Sequence, residues 1–167
     1  MYFLFHDKMK GVFMKKYIKF ALVFLAVGLI CGVFYREFSK AYNVVNVYTT
    51  LGLAHTHFLV LGVAFTLIIG LITDKLNKHE EKLFKRAFVI YSAGVAGAGL
   101  MLVVRGVLDV LVKSDKIVYS VSSAADGVIS GISGIFHALL GISLILIFIS
   151  WLLKNKQLKQ TDEISGT

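Results

Sequence analysis

Proline is absent from this chain of 167 residues, cysteine and tryptophan occur once each, and charged residues make up only 17%. Without proline, no helix is interrupted by a missing amide donor. The single Cys31 excludes an internal disulfide and a thiolate metal site. No Cys-x-x-Cys-His is present, so covalent haem attachment of the usual kind is excluded. Serine, histidine and aspartate form no recognisable nucleophilic set, and no paired-carboxylate site stands out. The glycines around Gly94, Gly97 and Gly99 do not follow a strand, so they are no nucleotide fingerprint. Catalysis therefore finds no support in the sequence.

What is abundant is apolar. Hydrophobic residues make up 57% of the chain, beside 15 glycines, and mean hydropathy is +0.77. A helix crosses the hydrocarbon core with about 20 mostly apolar residues. Four such runs are expected, at 17–34, 49–73, 87–112 and 129–153. The connections are too short for a separate soluble domain. The expectation is one all-α domain, an integral-membrane four-helix bundle with up-down-up-down order. The tail, about 155–167, is polar and expected to be disordered.

The net charge of +8 is distributed as an orientation signal. Lys8, Lys10, Lys15 and Lys16 precede the first run. Lys75, Lys78, Lys82, Lys85 and Arg86 lie between the second and third. Lys154, Lys156 and Lys159 follow the fourth. The other side holds only Arg36, Lys40, Lys113 and Lys116. By the positive-inside rule both termini are expected in the cytoplasm, with the protein in the cytoplasmic membrane of a bacterium. The basic loops also suit anionic lipid headgroups. No basic face or reader motif accompanies the charge, so nucleic acid is not an expected partner.

The first run continues into Gly32-Val33-Phe34-Tyr35-Arg36 with no small-residue cleavage site, so it reads as a retained span. Met14-Lys15-Lys16 resembles a bacterial start, which makes residues 1–12 an upstream extension. The inner loop 74–86 reads as partly helical and solvated. Asp126 reads as a helix N-cap for the fourth run. Gly28 and Gly32, and the small residues of 92–99, read as close-packing positions. Such faces also fit a homodimer.

Histidine carries the chemistry. His55 and His57 lie inside the second run and His137 inside the fourth. Ionisable groups at membrane depth are costly and mark function. In an up-down-up-down bundle the second and fourth runs are diagonal partners, and His55 and His137 lie at similar depth. Neighbouring axes stand ~8–10 Å apart, so the diagonal is roughly 11–14 Å. That gap suits a flat macrocycle with an imidazole on each face, hence non-covalent haem b. His55 and His57 are about 200° apart on a helix and cannot share one iron. His55 shares its face with Gly62, and His137 shares its face with Gly134 and Gly141. Glycine beside a ligand leaves room for a ring, which favours His55 with His137 and keeps His57 as the alternative. The remaining histidine is left for a second cofactor, a partner subunit or a group such as Asp109. Arg105 and Arg36 are candidates for the haem propionates, since arginine pairs well with carboxylates. Arg105 also stands four residues before Asp109, which fits a simple helix-surface pair. Glu37 closes the outer end of the first run. His6 and His79 fall outside the runs and receive no role.

His55-Thr56-His57-Phe58-Leu59-Val60-Leu61-Gly62, with Phe34-Tyr35-Arg36-Glu37-Phe38 and Phe136-His137-Ala138-Leu139-Leu140-Gly141, resembles a bacterial family of short four-span membrane proteins of unknown function. The resemblance covers most of the chain and implies the fold rather than an activity. The His-x-His segment is also similar to histidine-bearing helices of haem-copper oxidase subunit I, where the two histidines serve haems on opposite faces. That likeness covers about eight residues. It implies a helix pattern compatible with haem. The chain has too few spans and histidines for a haem–copper centre, so oxygen reduction is not implied.

The expected activities are thus electron transfer, haem handling or gas sensing, with or without a redox partner. Two other readings stay open. In one, His55, His57, His137, Glu37 and Asp109 mark a path for zinc or copper. In the other, the chain is an accessory subunit whose histidines bridge helices.

Overall fold

A computed structural model gives the architecture. It describes the backbone of residues 2–79, 81–116 and 119–153, and side chains for 14–79, 81–116, 124 and 127–153. The elements are α1 (Tyr2–Ala41), α2 (Leu51–His57), a π-helix (Phe58–Phe65), α3 (Thr66–Leu76), α4 (Lys82–Lys113) and α5 (Tyr119–Leu152). The second, third and fourth segments run end to end as one rod. Among the described residues there is no strand.

Four helical segments are long and apolar enough to cross a membrane: Met14–Ala41, Leu51–Leu76, Lys82–Lys113 and Gly127–Leu152. They match the runs expected from hydropathy to within two residues wherever they fall short, and elsewhere outlast them. With no proline to stop it, α1 continues past the aromatic stretch at Phe34. Phe34 then stacks on Phe38 and Phe38 meets Tyr42 at a tilt, with ring centroids 5.0 and 4.8 Å apart. Likewise α5 already begins at Tyr119. Asp126 therefore lies within a helix and is not the N-cap that the sequence suggests. The polar tail expected to be disordered lies outside the described residues.

Helices stop where a left-handed residue appears. Asn43, Asn77 and Asp115 have φ of 57°, 53° and 56°. Asparagine and aspartate tolerate that conformation because their short polar side chains bond locally. Among the described residues no glycine has a positive φ. The glycines serve close approach instead.

Contacts along the helices fix their order. Tyr17 meets Gly70, Phe24 meets Gly62 and Tyr35 meets Gly52, so α1 runs antiparallel to the second rod. Leu51 meets Gly106 and Phe58 meets Gly99, so α4 runs antiparallel to that rod as well. Leu140 meets Gly94 and Phe136 meets Gly97, which sets α5 antiparallel to α4. At Gly106 a Cβ would stand 2.3 Å from the Leu51 backbone, so only glycine lets these two chains approach so closely.

Each end of the bundle is closed by polar bonds. At the end where α4 finishes, Asp109 accepts the Thr50 N–H at 2.9 Å and the Thr50 hydroxyl at 2.7 Å. The carboxylate thus sits at the positive end of the second rod. Lys113 donates to the Tyr48 carbonyl beside it. At the opposite, basic end, Trp151 Nε1 donates to Thr73 Oγ1 at 3.0 Å and ties α5 to α3. Lys78 donates to the Leu153 carbonyl and pairs with Glu81 at 3.1 Å. The connection around Lys78 and His79 is not the solvated loop that its charge suggests. These residues are 5% and 8% exposed because partners from three helices take their polar atoms.

Candidate functional site

His57 ends α2, and the next eight residues wind as a π-helix. Such segments are rare and gather at functional positions. Each i→i+5 turn takes in one residue more than an α turn, so the face presented before the segment is uncoupled from the face after it. The Tyr91 hydroxyl, fully buried on α4, donates to the Leu61 carbonyl within this segment.

This winding sets the His57 ring against the His137 ring, with centroids 6.0 Å apart and planes at 63°. The residues next to each histidine aim it. Phe58 follows His57 and fills the space over Gly99. Phe136 precedes His137 and fills the space over Gly97. The small-residue stretch of α4 therefore seats the aromatic neighbour of each histidine, while the His137 ring itself lies exposed on α5.

The nitrogen inventory is specific. His137 Nδ1 lies 2.8 Å from the Ser133 carbonyl oxygen. A carbonyl only accepts, so Nδ1 donates this bond and Nε2 is left for another partner. Metal-bound histidines typically hold this second-shell bond. The His57 ring has a main-chain hydrogen bond at Val95. Its Nε2 is buried with no hydrogen-bond partner.

His55 points elsewhere. It packs on α1 at Gly32, its Cβ 3.8 Å from where a Gly32 side chain would begin. Its Nε2 lies 3.4 Å from the Thr56 hydroxyl, and its Nδ1 is buried without a partner. The sequence favours His55 as the partner of His137, whereas the structure brings His57 there. Gly62, read as space for a ring, is occupied by Phe24, whose Cβ and Cγ stand 2.6 Å from a Cβ built at that glycine. Gly134 and Gly141 do face open space beside His137, with nothing within 4 Å of either position.

The remaining candidates separate from the pair. Arg36 and Glu37 form an exposed ion pair at 3.6 Å, and Lys40 joins Glu37 at 3.4 Å. Exposed pairs of this kind contribute about 0–1 kcal/mol. Asp109 belongs to Thr50 and meets neither His55 nor His57. Arg105 is half-buried on α4, beyond the glycines that seat Phe58 and Phe136. Among the described residues no group of three His, Cys, Asp or Glu side chains converges as a metal site.

The sequence missed a second polar cluster. Tyr17 OH lies 3.3 Å from His79 Nδ1, and His79 Nε2 lies 3.0 Å from Asp74 Oδ1. His79 follows the end of α3, where hydropathy gives no sign that the chain folds back onto α1.

A family model described as "Protein of unknown function (DUF2871)" matches residues 14–155. Neither a curated protein nor a solved structure matches the chain.

Proposed function

We propose, for a chain that belongs to the DUF2871 family and takes no activity from that membership, that it is a membrane protein binding non-covalent haem b through His57 and His137. The observation that carries this reading is the close pair of imidazoles, their centroids 6.0 Å apart, with the Nε2 of His57 buried without a hydrogen-bond partner and the Nδ1 of His137 bonded to the Ser133 carbonyl. Two rings bound to one metal at about 2.0–2.1 Å per bond span about that distance. Two protein ligands suffice for a haem iron, because the macrocycle supplies the others. Bare zinc takes three or four protein ligands, which favours haem over zinc here. The open strip at Gly134 and Gly141 gives a flat ring a place beside His137.

Arg105 is the residue proposed for a propionate, since it lies on the helix that seats Phe58 and Phe136. Arg36 keeps to Glu37 and the surface. Held by both His57 and His137, the group would supply electron transfer rather than gas binding. His55, on the opposite face, parallels the second histidine of the oxidase His-x-His segment. The charge distribution supports a bacterial cytoplasmic membrane with both termini inside, so the pair lies in the outer half.

Absorbance of the purified protein tests the assignment. A Soret band with split visible bands on reduction is expected. His57→Ala and His137→Ala should abolish it, and His55→Ala should keep it. A colourless protein from haem-supplied cells, or pigment that survives His57→Ala, rejects it. Stoichiometric zinc or copper in that colourless protein would favour metal handling instead.

A further inference from the structure

A cavity of about 310 Å³ opens sideways between α1 and α4 at the basic end, far from the histidine pair. Its mouth carries Lys16 from α1 and Lys85 from α4. Its floor is Tyr17, 4% exposed and held by His79, which is itself fixed to Asp74. Toward the middle of the bundle the walls become mainly apolar, and the Ser92 hydroxyl that lines them is spent on the Phe88 carbonyl. Phe20 meets Phe88 edge-on at 5.5 Å, and Val89 lies beside them. Phe20 and Val89 are 37% and 67% exposed, so this lower part faces the surrounding hydrocarbon.

The cavity is therefore amphipathic along its length. Two cations from different helices stand at the headgroup level, and an aromatic trough runs below them. A soluble anion would use the lysines and leave the trough empty. A zwitterionic lipid would use the trough and gain little from the lysines. We infer that this cleft between α1 and α4 is a binding site for one anionic phospholipid, its phosphate between Lys16 and Lys85 and an acyl chain along Phe20, Phe88 and Val89. Basic pockets between membrane helices select such headgroups through charge. The polar chain Tyr17–His79–Asp74 keeps the floor rigid, so the site is built before the lipid arrives. Nothing in this assignment depends on haem.

Delipidated full-length protein in neutral detergent provides the test. Phosphatidylglycerol, phosphatidylcholine and inorganic phosphate are added separately. Thermal melting and lipid retained through gel filtration are measured. Phosphatidylglycerol should raise the melting temperature and stay bound, near one per chain. Lys16→Gln with Lys85→Gln should weaken retention roughly 30-fold, since each cation near an anionic headgroup contributes about a factor of five. Lys40→Gln with Lys116→Gln removes the same charge at the opposite end and should change nothing. Val89→Trp fills the trough with both lysines intact and should also expel the lipid. Equal retention of phosphatidylcholine, a full effect from inorganic phosphate alone, or an unchanged double Lys16/Lys85 variant would each overturn the assignment.

Discussion

Phe58 Cζ lies 2.3 Å from the point where a side chain at Gly99 would begin. Any larger residue there must displace an aromatic ring adjacent to His57. Gly99→Val is expected to destabilise the bundle by about 1–3 kcal/mol through overpacking. It should also weaken or abolish the pigment by turning His57 away. Thermal melting in detergent and the Soret absorbance read the two effects separately. An unchanged spectrum would show that α4 does not seat the histidine.

The Tyr91 hydroxyl gives a subtler handle. It holds the Leu61 carbonyl inside the π-helix. Tyr91→Phe keeps the ring and removes one buried hydrogen bond, a loss of about 1 kcal/mol. If that bond stabilises the π winding, the segment shifts toward α geometry and the spectrum changes though no ligand has been touched. Resonance Raman or the visible bands of the reduced protein would register it. A spectrum identical to wild type would assign Tyr91 to packing alone.

Asp109 and Thr50 join α4 to the start of the second rod across 59 positions of sequence. Asp109→Asn should keep the shape, lose the charge at the helix terminus and reduce stability by about 0.5–2 kcal/mol. Thr50→Ser should be close to neutral, and Thr50→Ala should approach Asp109→Asn. Melting of the double variant decides whether the two act as one unit. Full additivity would mean that they do not.

At the other end, His79→Ala strands the Tyr17 hydroxyl and the Asp74 carboxylate. The Tyr17 hydroxyl, buried and left unpaired, costs about 1–3 kcal/mol, and the half-exposed Asp74 carboxylate less. Melting should fall clearly, and hydrogen exchange should rise near Asn77. Pigment should survive, because the cluster lies at the opposite end from His57 and His137. Loss of pigment would instead couple the two ends.

The four apolar rods were legible because hydropathy and length report them directly. The histidines were legible as a set, since imidazoles within such runs stand out against leucine and valine. The choice between His55 and His57 was not. A face drawn at 3.6 residues per turn groups His55 with Gly62, but the π-helix breaks that period just after His57. No proline or charge in Phe58–Phe65 announces it, and the stabilising Tyr91 comes from another helix. His79 was illegible for a related reason. Its burial comes from Tyr17, 62 positions away, and a charged connection carries no mark of that contact.

Helix α5 rests mainly on α4, and its basic end is pinned to α3 through Trp151 and Thr73. Among the described residues, the half that carries His137 packs on α4 along one flank and meets the second rod at the His57 ring. A rigid plate arriving from the side can slide in beside that flank while the other helices keep their packing. Loading of the proposed site would then resemble closing a hinged cover more than threading a channel, with the fastening at the end away from His137.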